Sequence, residues 1–307
     1  MQEKSRRELL AMSLGGAVWS SCGSAPEPES EVETPVVAKF DHDLGAQLYT
    51  LRSVIADDPA GILKSLAAIG YVEAEVLQSN YAKYRPMILD AGLAPKAMHL
   101  SSELITSGAA NDEDGKPLSL DGAIEQAAAD KIAYLVMPYL REEDRGTDLD
   151  HYKALAEKLS AAGEKCAAAG IGFAYHNHAF EFEPMGDATP LAALVDGTDP
   201  GLMKLELDVF WVSVAGADPA ALIAEQADRV RLVHLKDKAP DYPQQYKEGA
   251  PPEAFREVGS GSINFPAVLR ACTAAGVEHY VVEQDQTPGD PIDSLRQSYD
   301  YLRSVEI

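Results

Sequence analysis

The stretch KCAAAGIGFAYHNHAFEF, residues 165–182, runs from the end of a helical pattern through a strand pattern into a polar loop. Its alanine-rich start belongs to an amphipathic helix, and Gly170 is the residue type that commonly closes a helix. The short apolar run Ile171–His176 then predicts a buried strand. Two histidines, an asparagine and a glutamate follow within six residues, so ligand-type side chains stand at the carboxyl end of this strand.

The same unit of strand, polar loop and helix recurs along the chain. Candidate strands are Leu44–Tyr49, Tyr71–Leu77, Lys96–Leu100, Ile132–Met137, Ile171–His176, Met203–Leu207, Val230–Leu235 and His279–Glu283. Helical patterns follow, for example over Asp150–Ala169, Pro219–Ala227, Phe265–Ala275 and Pro291–Val305, and glycines at 70, 92, 170 and 276 precede the next strand. Eight units over about 260 residues predict an α/β fold, a (β/α)8 TIM barrel. A doubly wound sheet is less consistent, because no Gly-x-Gly-x-x-Gly follows the first strand.

The composition excludes some classes of partner. The chain has 307 residues, of which 46% are hydrophobic and 24% charged, as is usual for a globular protein with a large core. Its formal net charge of −23 argues against a basic surface for nucleic acid or for an anionic membrane. Cys166 and Cys272 lie in helical patterns and are predicted to be inert core residues, so the three cysteines form no disulfide framework.

The first residues have the pattern of an export signal. Arg6 and Arg7 form a twin arginine, and a short apolar run, Leu9–Val18, follows before small residues lead to Cys22. The run is too short to span a membrane. It resembles a twin-arginine signal with a lipoprotein-type box, which implies a periplasmic protein whose only membrane contact is a lipid anchor at Cys22.

Three segments are therefore predicted. Residues 1–22 form the signal, residues 23–39 form a linker, and residues 40–307 form the barrel. The linker contains the proline- and glutamate-rich run Ala25–Pro35, which cannot bury a core and reads as a disordered, solvated tether.

In a barrel of this type the chemistry lies where strands end and the following loops begin. The polar and ionisable residues predicted at these ends are Gln47, Tyr49, Arg52, Glu73, Glu75, His99, His176, His178, Glu181, Glu206, Asp208, His234, Lys236, Glu283 and Asp285. Carboxylates that converge at apolar strand ends repel one another unless a cation holds them. The pattern therefore predicts one divalent metal ion, with Mn²⁺, Mg²⁺, Co²⁺ and Zn²⁺ all compatible with carboxylate and imidazole ligands.

Six motifs in this order resemble the sugar phosphate isomerase/epimerase family with a xylose-isomerase-like TIM barrel. They are QLYTLR, HNHAFEF, LELDVFW, VHLKD, VGSGSINF and VVEQD, and the resemblance covers nearly everything from Phe40 onwards. The family includes ketose 3-epimerases, inosose dehydratases, hydroxypyruvate isomerases and an endonuclease branch. The acidic balance of this chain disfavours the endonuclease branch.

The resemblance implies four metal ligands. Asp208, His234 and Glu283 match the ligands of strands six, seven and eight. The family's fourth ligand is a glutamate near strand five, where this chain offers Glu181 in the loop, with His176 at the strand end as the alternative.

The resemblance also implies an activity on a small-molecule sugar or glycoside. The expected reaction is isomerisation or epimerisation of a keto-sugar through a metal-stabilised enediolate, with Glu283, Glu181, Lys236 and His178 as catalytic residues. Gln47, Glu75, His99, His176 and Trp211 are the candidate substrate-binding residues, although Trp211 fits a core position equally well. Two alternatives stay open: a lyase that cleaves 3-keto-glycosides by β-elimination, and a non-catalytic periplasmic sugar-binding lipoprotein. The sequence also allows a homo-oligomer.

Overall fold

The computed structural model describes residues 39–307, and within this range eight parallel strands close into a barrel. The strands are β1 Leu44–Gln47, β2 Glu73–Leu77, β3 Ala94–His99, β4 Tyr134–Met137, β5 Gly172–His176, β6 Lys204–Asp208, β7 Val230–Leu235 and β8 His279–Val282. Each strand pairs with the next along the chain, and β8 pairs with β1. The predicted TIM barrel is confirmed, with its strands in the predicted order.

Helices follow the strands and supply the outer layer of the fold. They are α1 Pro59–Ile69, α2 Gln78–Asp90, α3 Glu103–Thr106, α4 Leu120–Asp130, α5 Leu149–Ala168, α6 Pro190–Asp196, α7 Val209–Val214, α8 Pro219–Glu225, α9 Phe265–Ala275 and α10 Pro291–Ser304. Polar side chains cap several of them at the N-terminus; Asp148, for example, accepts a hydrogen bond of 3.0 Å from the backbone N–H of His151. Proline opens α1, α6, α8 and α10, where its missing N–H costs no helical hydrogen bond.

Glycine determines where helices end and how closely one of them packs. The predicted closing glycines at 70, 92, 170 and 276 all have positive φ angles, between 72° and 126°, which confirms that role. Gly163 lies within α5, where a Cβ atom would stand 2.3 Å from the carbonyl oxygen of Leu202. A side chain at this position would therefore push α5 away from the segment that leads into β6.

The first strand is shorter than its sequence pattern. Leu44–Tyr49 was expected to be extended, but β1 ends at Gln47 and a 3-10 helix covers Leu48–Leu51. The cause is local, because the side-chain oxygen of Gln47 accepts a hydrogen bond of 3.1 Å from the backbone N–H of Tyr49. Gln47 thus becomes an N-cap, and its amide nitrogen stays turned towards the barrel interior.

Two short antiparallel pairs of strands lie in the loops at 110–118 and 237–256. No helix within residues 39–307 is long and apolar enough to cross a membrane. The predicted export signal, the linker up to residue 38 and Cys22 lie outside the described residues and stay predictions.

Candidate metal centre and active site

A buried polar cluster fills the carboxyl end of the barrel. Its members are Gln47, Glu75, His99, His176, Glu206, Asp208, His234, Lys236, Glu283 and Asp285. All except Asp285 are at most 8% exposed. Every one of these positions was expected at a strand end, so the structure brings most of the predicted residues together.

Three of the predicted metal ligands form what we call the outer group: Asp208, His234 and Glu283. Each offers one donor atom, and these atoms lie within 4.8 Å of one another. Oδ1 of Asp208 is fixed as the cap of α7, accepting hydrogen bonds from the backbone N–H groups of Phe210 (2.9 Å) and Trp211 (3.1 Å). Oδ2 is therefore the oxygen that faces the cluster, 3.4 Å from Nε2 of His176.

A second set of donors, which we call the inner group, comprises His99, His176, Glu206 and His234. Its centre is Oε2 of Glu206, which lies 2.8 Å from Nε2 of His99, 2.9 Å from Nδ1 of His176 and 3.3 Å from Nε2 of His234. Glu206 is fully buried. Its other oxygen, Oε1, has no hydrogen-bond partner among the described residues.

His176 and His234 connect the two groups, because each uses both ring nitrogens. His234 places Nδ1 2.8 Å from Oε2 of Glu283 and Nε2 2.5 Å from Oε2 of Glu75. His176 faces Asp208 with Nε2 and Glu206 with Nδ1. A carboxylate behind a histidine fixes the tautomer and the orientation of its ring. Glu75 and Glu206 are therefore placed to orient His234 and His176.

Lys236 lies at the centre of the acidic side chains. Its ammonium nitrogen is 2.9 Å from Oδ2 of Asp208, 2.7 Å from Oε2 of Glu283 and 2.9 Å from Oδ1 of Asp285. Burial alone would lower the pKa of Lys236, but these carboxylates raise it well above its usual range. The lysine is thus held charged.

Both carboxylates of the outer group have pKa values well below their usual range. Burial alone would raise the pKa of Asp208 and of Glu283, but the charge of Lys236 and contacts with the cluster histidines hold both pKa values well below their usual range. Asp285 differs: burial raises its pKa, and Lys236 only partly opposes this. Both outer carboxylates are therefore ionised and can act as ligands or bases.

Two histidines of the inner group, His99 and His234, have raised pKa values. Burial would lower the pKa of His99, yet the carboxylates of Glu75 and Glu206 raise it to about 9. The same two carboxylates raise the pKa of His234, against burial. Burial would raise the pKa of Glu75, but His99 and His234 bring it well below its usual value. While no metal ion is bound, these pKa shifts favour protonated His99 and His234 beside an ionised Glu75.

A cavity of about 340 Å³ opens directly onto the cluster. It is lined by Tyr49, Leu77, His99, Pro138, Tyr139, His176, His178, Lys236, Glu283 and Asp285. Ionisable groups and aromatic rings share this wall. Such a cavity is large enough for a small polar molecule that contacts Glu283 of the outer group and His99 and His176 of the inner group.

Glu181 does not join either group of donors. It is fully buried, and its carboxylate accepts hydrogen bonds of 2.8 Å from the hydroxyl of Tyr175 and from the backbone N–H of His178. Burial raises the pKa of Glu181 to about 7, although these hydrogen bonds lower it. The reason is the 3-10 turn Phe180–Phe182, which directs this side chain back towards the strand. No contact supports Glu181 as the fourth ligand, whereas the alternative, His176, lies in the cluster.

Two other predicted site residues, His178 and Trp211, differ in whether they line the cavity. His178 lines the cavity, and its ring centre lies 5.1 Å from that of Trp211. Burial lowers the pKa of His178 well below its usual value. Trp211 is 3% exposed, packs against Phe210, and is not among the lining residues.

Gln47 and Glu75 were expected to bind substrate, but they lie behind the cavity wall. The amide nitrogen of Gln47 donates to Oε2 of Glu75 at 2.7 Å. Glu73, two residues earlier on β2, pairs with His279 at 2.8 Å and stands away from this cluster. Of the two glutamates expected at the end of β2, only Glu75 therefore belongs to the cluster.

Tyr139 is a cavity residue that the sequence analysis missed. It follows β4, lines the cavity, and its hydroxyl donates a hydrogen bond of 2.8 Å to Oε2 of Glu248. Arg145 pairs with the same carboxylate. The signal was readable, because Pro138 and Tyr139 directly follow the strand-four pattern, an end for which no polar residue was proposed.

The glycine-rich loop Gly259–Ser262 does not present its amides to the cavity. The carboxylate of Asp237 accepts hydrogen bonds from the backbone N–H groups of Gly259 (3.0 Å), Gly261 (2.8 Å) and Ile263 (3.1 Å). The carboxylate of Asp237 therefore occupies the backbone N–H groups with which such a loop would bind a phosphate.

Comparison with known sequences gives relatives at modest identity. The inosose dehydratase of Geobacillus thermodenitrificans is 27% identical over 201 residues, which is 61% of this chain and 61% of that protein. The rhizopine catabolism protein MocC of Rhizobium meliloti is 27% identical over 163 residues, covering 50% of this chain and 49% of that protein. The chain thus spans about half to three-fifths of the length of these relatives.

Solved structures share the fold. A sugar phosphate isomerase/epimerase from Parabacteroides distasonis superposes with a TM-score of 0.69 at 23% identity, over 86% of this chain and 99% of that one. The 3-keto-D-glucoside 4-epimerase YcjR of E. coli gives 0.61 at 15%, over 86% and 100%. An IOLI protein with a bound zinc atom gives 0.61 at 15%, over 84% and 96%.

The sequence profile described as xylose isomerase-like TIM barrel matches residues 73–305, most of the described chain. It covers β2 to β8 and every residue of the outer and inner groups. With the closed barrel and the polar cluster at its carboxyl end, this match places the chain in the family of xylose isomerase-like TIM barrels.

Proposed function

We propose that this protein is a divalent-metal-dependent enzyme that isomerises or epimerises a keto-sugar, beginning with removal of a proton from the carbon beside the carbonyl group. The observation that carries the proposal is the outer group, whose two carboxylates and imidazole converge at the carboxyl end of the barrel, with Glu283 on the wall of a cavity of about 340 Å³.

The donor set fits a divalent ion. Oδ2 of Asp208 is buried, is not used in capping α7, and faces Nζ of Lys236 at 2.9 Å and Nε2 of His176 at 3.4 Å, so this oxygen already has a cation beside it where a metal ion would bind. His234 and Glu283 each offer a donor atom within 4.8 Å of one from Asp208, and Nε2 of His176 lies 3.4 Å from Oδ2 of Asp208. Bound there, the ion would act as a Lewis acid that polarises a substrate carbonyl and makes the adjacent C–H more acidic.

The inner group is a less suitable place for a catalytic ion. Its members His99 and His176 line the cavity, but it offers one carboxylate, Glu206, whose Oε2 already faces three imidazoles. The outer group offers two carboxylates and an imidazole, a set richer in the oxygen ligands that Mn²⁺ and Mg²⁺ prefer. We therefore assign the ion to the outer group and a supporting role to Glu75 and Glu206.

Glu283 is the best-placed base. It lines the cavity, and its contacts with His234 and Lys236 all go to Oε2. Oε1 is the oxygen that remains for a substrate proton. A carboxylate whose second oxygen is held by two cationic groups is fixed in position, which general-base catalysis requires.

His178 is the candidate for exchanging a proton on the other side of the substrate. It lines the cavity just after β5, whereas Glu283 follows β8, three strands further around the barrel. Two groups that reach the substrate from different directions suit an epimerase, because the proton must leave one face and return to the opposite face.

The substrate is proposed to be an uncharged sugar or glycoside. The glycine-rich loop is engaged by Asp237, and Lys236 is neutralised by its three carboxylates. Glu283 and Asp285 add negative charge to the cavity wall. A phosphorylated sugar would meet repulsion, because the cationic lining residue Lys236 is already paired with carboxylates and the pKa of His178 is lowered well below its usual value.

A second candidate is β-elimination from a keto-sugar or a 3-keto-glycoside. The similarity to inosose dehydratases favours it, and the reaction begins with the same proton removal. It differs in that the electron pair left on that carbon forms a double bond and expels a substituent from the next carbon, so the proton ends on the departing group and is not returned to the sugar. A non-catalytic sugar-binding protein would need neither the metal ligands nor the base.

The test combines metal analysis with solvent exchange. The purified protein is loaded with Mn²⁺ or Co²⁺ and incubated in D₂O with a 3-keto-glucoside or an inosose, and products are followed by NMR. Deuterium uptake with a changed stereocentre supports epimerisation, and an unsaturated or cleaved product supports elimination. Sugar binding without exchange by metal-loaded protein would contradict both. Asp208→Asn is the matched control, since it keeps the shape but weakens metal binding.

A further inference from the structure

The ion pairs of Lys236 have a consequence for metal binding, which rests on the metal-dependent function proposed above. We propose that Lys236 is an internal cation that competes with the divalent ion for Asp208 and Glu283, and that Asp285 receives its ammonium group when the ion binds.

The competition follows from the atoms involved. The ammonium contacts Oδ2 of Asp208 at 2.9 Å and Oε2 of Glu283 at 2.7 Å. Oδ2 is the oxygen of Asp208 that α7 capping leaves for a metal, and Oε2 is the oxygen of Glu283 that faces His234. The lysine therefore holds the oxygen atoms that the divalent ion would use.

Charge explains why a lysine stands there. Asp208 and Glu283 are buried close together, and without a cation their charges would repel strongly in a medium of low dielectric constant. The ammonium compensates them while no metal is present. When an ion with two positive charges is bound, it and the ammonium repel each other, so the ammonium must move away or weaken ion binding.

Asp285 is the place to which the ammonium can move. Oδ1 of Asp285 is already 2.9 Å from the ammonium nitrogen, and this residue lines the cavity and is the most exposed of the three carboxylates. A small rotation of the long lysine side chain would release Asp208 and Glu283 while it keeps Asp285 as its partner. The charge would then stand beside the bound ion and face the substrate.

The proposal predicts opposite effects for two substitutions. Lys236→Gln keeps hydrogen-bond donors but removes the competing charge, so it should bind Co²⁺ at least about tenfold more tightly than the wild type. Asp285→Asn removes the negative charge that would hold the ammonium away from Asp208 and Glu283, so it should bind Co²⁺ about tenfold more weakly. A lysine that only supported the shape of the site would, when replaced, weaken Co²⁺ binding or leave it unchanged.

A double-mutant cycle separates this mechanism from simple loss of charge. If Asp285 acts only through its own negative charge, Asp285→Asn weakens Co²⁺ binding equally with and without Lys236. If Asp285 receives the ammonium, most of its effect should disappear in the Lys236→Gln background. Lys238→Gln, two residues along the chain, loses the same charge outside this set of ion pairs and is the matched control.

The experiment measures the dissociation constant of Co²⁺ by competition with a chromophoric chelator, for the wild type, the three single variants and the double variant. Circular dichroism checks folding, and the rise in melting temperature on adding Co²⁺ should be larger for Lys236→Gln than for the wild type. If the wild type binds Co²⁺ and Lys236→Gln binds it no more tightly, the competition is refuted while the metal site stands. If neither protein binds Co²⁺, the proposed function itself fails.

Discussion

Nδ1 of His234 lies 2.8 Å from Oε2 of Glu283. This buried contact joins a proposed metal ligand, His234, to the proposed base, Glu283. The other nitrogen of the same ring faces Glu75 at 2.5 Å. One imidazole therefore connects the cavity wall with a carboxylate that no substrate touches. The arrangement predicts that residues behind the cavity control metal affinity.

Removing the supporting carboxylates should weaken metal binding without removing a ligand. Glu75→Gln and Glu206→Gln should each raise the dissociation constant for Mn²⁺ by about 10–100-fold, because the rings of His234 and His176 lose the groups that orient them. Isothermal titration measures this constant. Glu73→Gln, at a paired glutamate away from the cluster, is the control and should bind Mn²⁺ normally. Unchanged affinity in both test variants would refute the supporting role.

The fourth ligand can be identified by metal analysis. His176→Ala should lose most bound metal, because its Nε2 faces Oδ2 of Asp208 at 3.4 Å. Glu181→Gln should keep its metal, because Tyr175 and His178 already occupy this carboxylate. The opposite pattern, with metal lost only from Glu181→Gln, would mean that Glu181 turns into the site and is the ligand.

Glu181 should also make stability depend on pH. Burial raises its pKa in the folded protein to about 7, above the ordinary 4.5. Between these values the unfolded chain has lost the proton and the folded chain keeps it, so this group's contribution is complete below pH 4.5 and is lost as pH rises to 7. Relative to Glu181→Gln, the wild-type free energy of unfolding should fall by roughly 1.4 kcal/mol per pH unit in that window.

Urea unfolding of both proteins at several pH values between 4.5 and 8 measures the difference. Other titrating groups cancel, since they are common to the wild type and the variant. A difference that does not change with pH would show that Glu181 is ionised in the folded protein at acidic pH as well.

Export is predicted from residues that precede the described part of the chain. Replacing Arg6 and Arg7 by lysines should leave the protein in the cytoplasm if the twin arginine is read as a signal. Fractionation of cells expressing each form measures this, and normal export of the double lysine variant would rule the signal out. Loss of membrane association in Cys22→Ala would support the lipid anchor, and unchanged association would exclude it.

The sequence was sufficient to predict the barrel and the end of the barrel at which the polar cluster lies. Each strand was predicted from a short apolar run that ends in polar residues. This pattern is local in sequence, so it could be read without knowing the tertiary contacts. It also placed Asp208, His234 and Glu283 correctly at neighbouring strand ends, which the structure brings within 4.8 Å of one another.

Depth within the barrel and the direction of loop side chains were not readable. Gln47 and Glu75 lie behind the cavity wall because the stagger between strands sets the level of each residue, and no local pattern reports it. Glu181 turns back to Tyr175 because a 3-10 turn follows β5. The partners of Lys236 likewise come from two other parts of the chain, with Asp208 at the end of β6 and Glu283 and Asp285 just after β8.

The central claim is that Glu283 removes a proton from a keto-sugar in a metal-dependent site. Its most direct test is the rate of deuterium uptake from D₂O into a 3-keto-glucoside, followed by NMR, for metal-loaded wild type and metal-loaded Glu283→Gln. The account predicts uptake by the wild type, loss of it on treatment with a chelator, and a rate about 10²–10⁴-fold lower in the variant. Exchange by metal-loaded Glu283→Gln at the wild-type rate would contradict it.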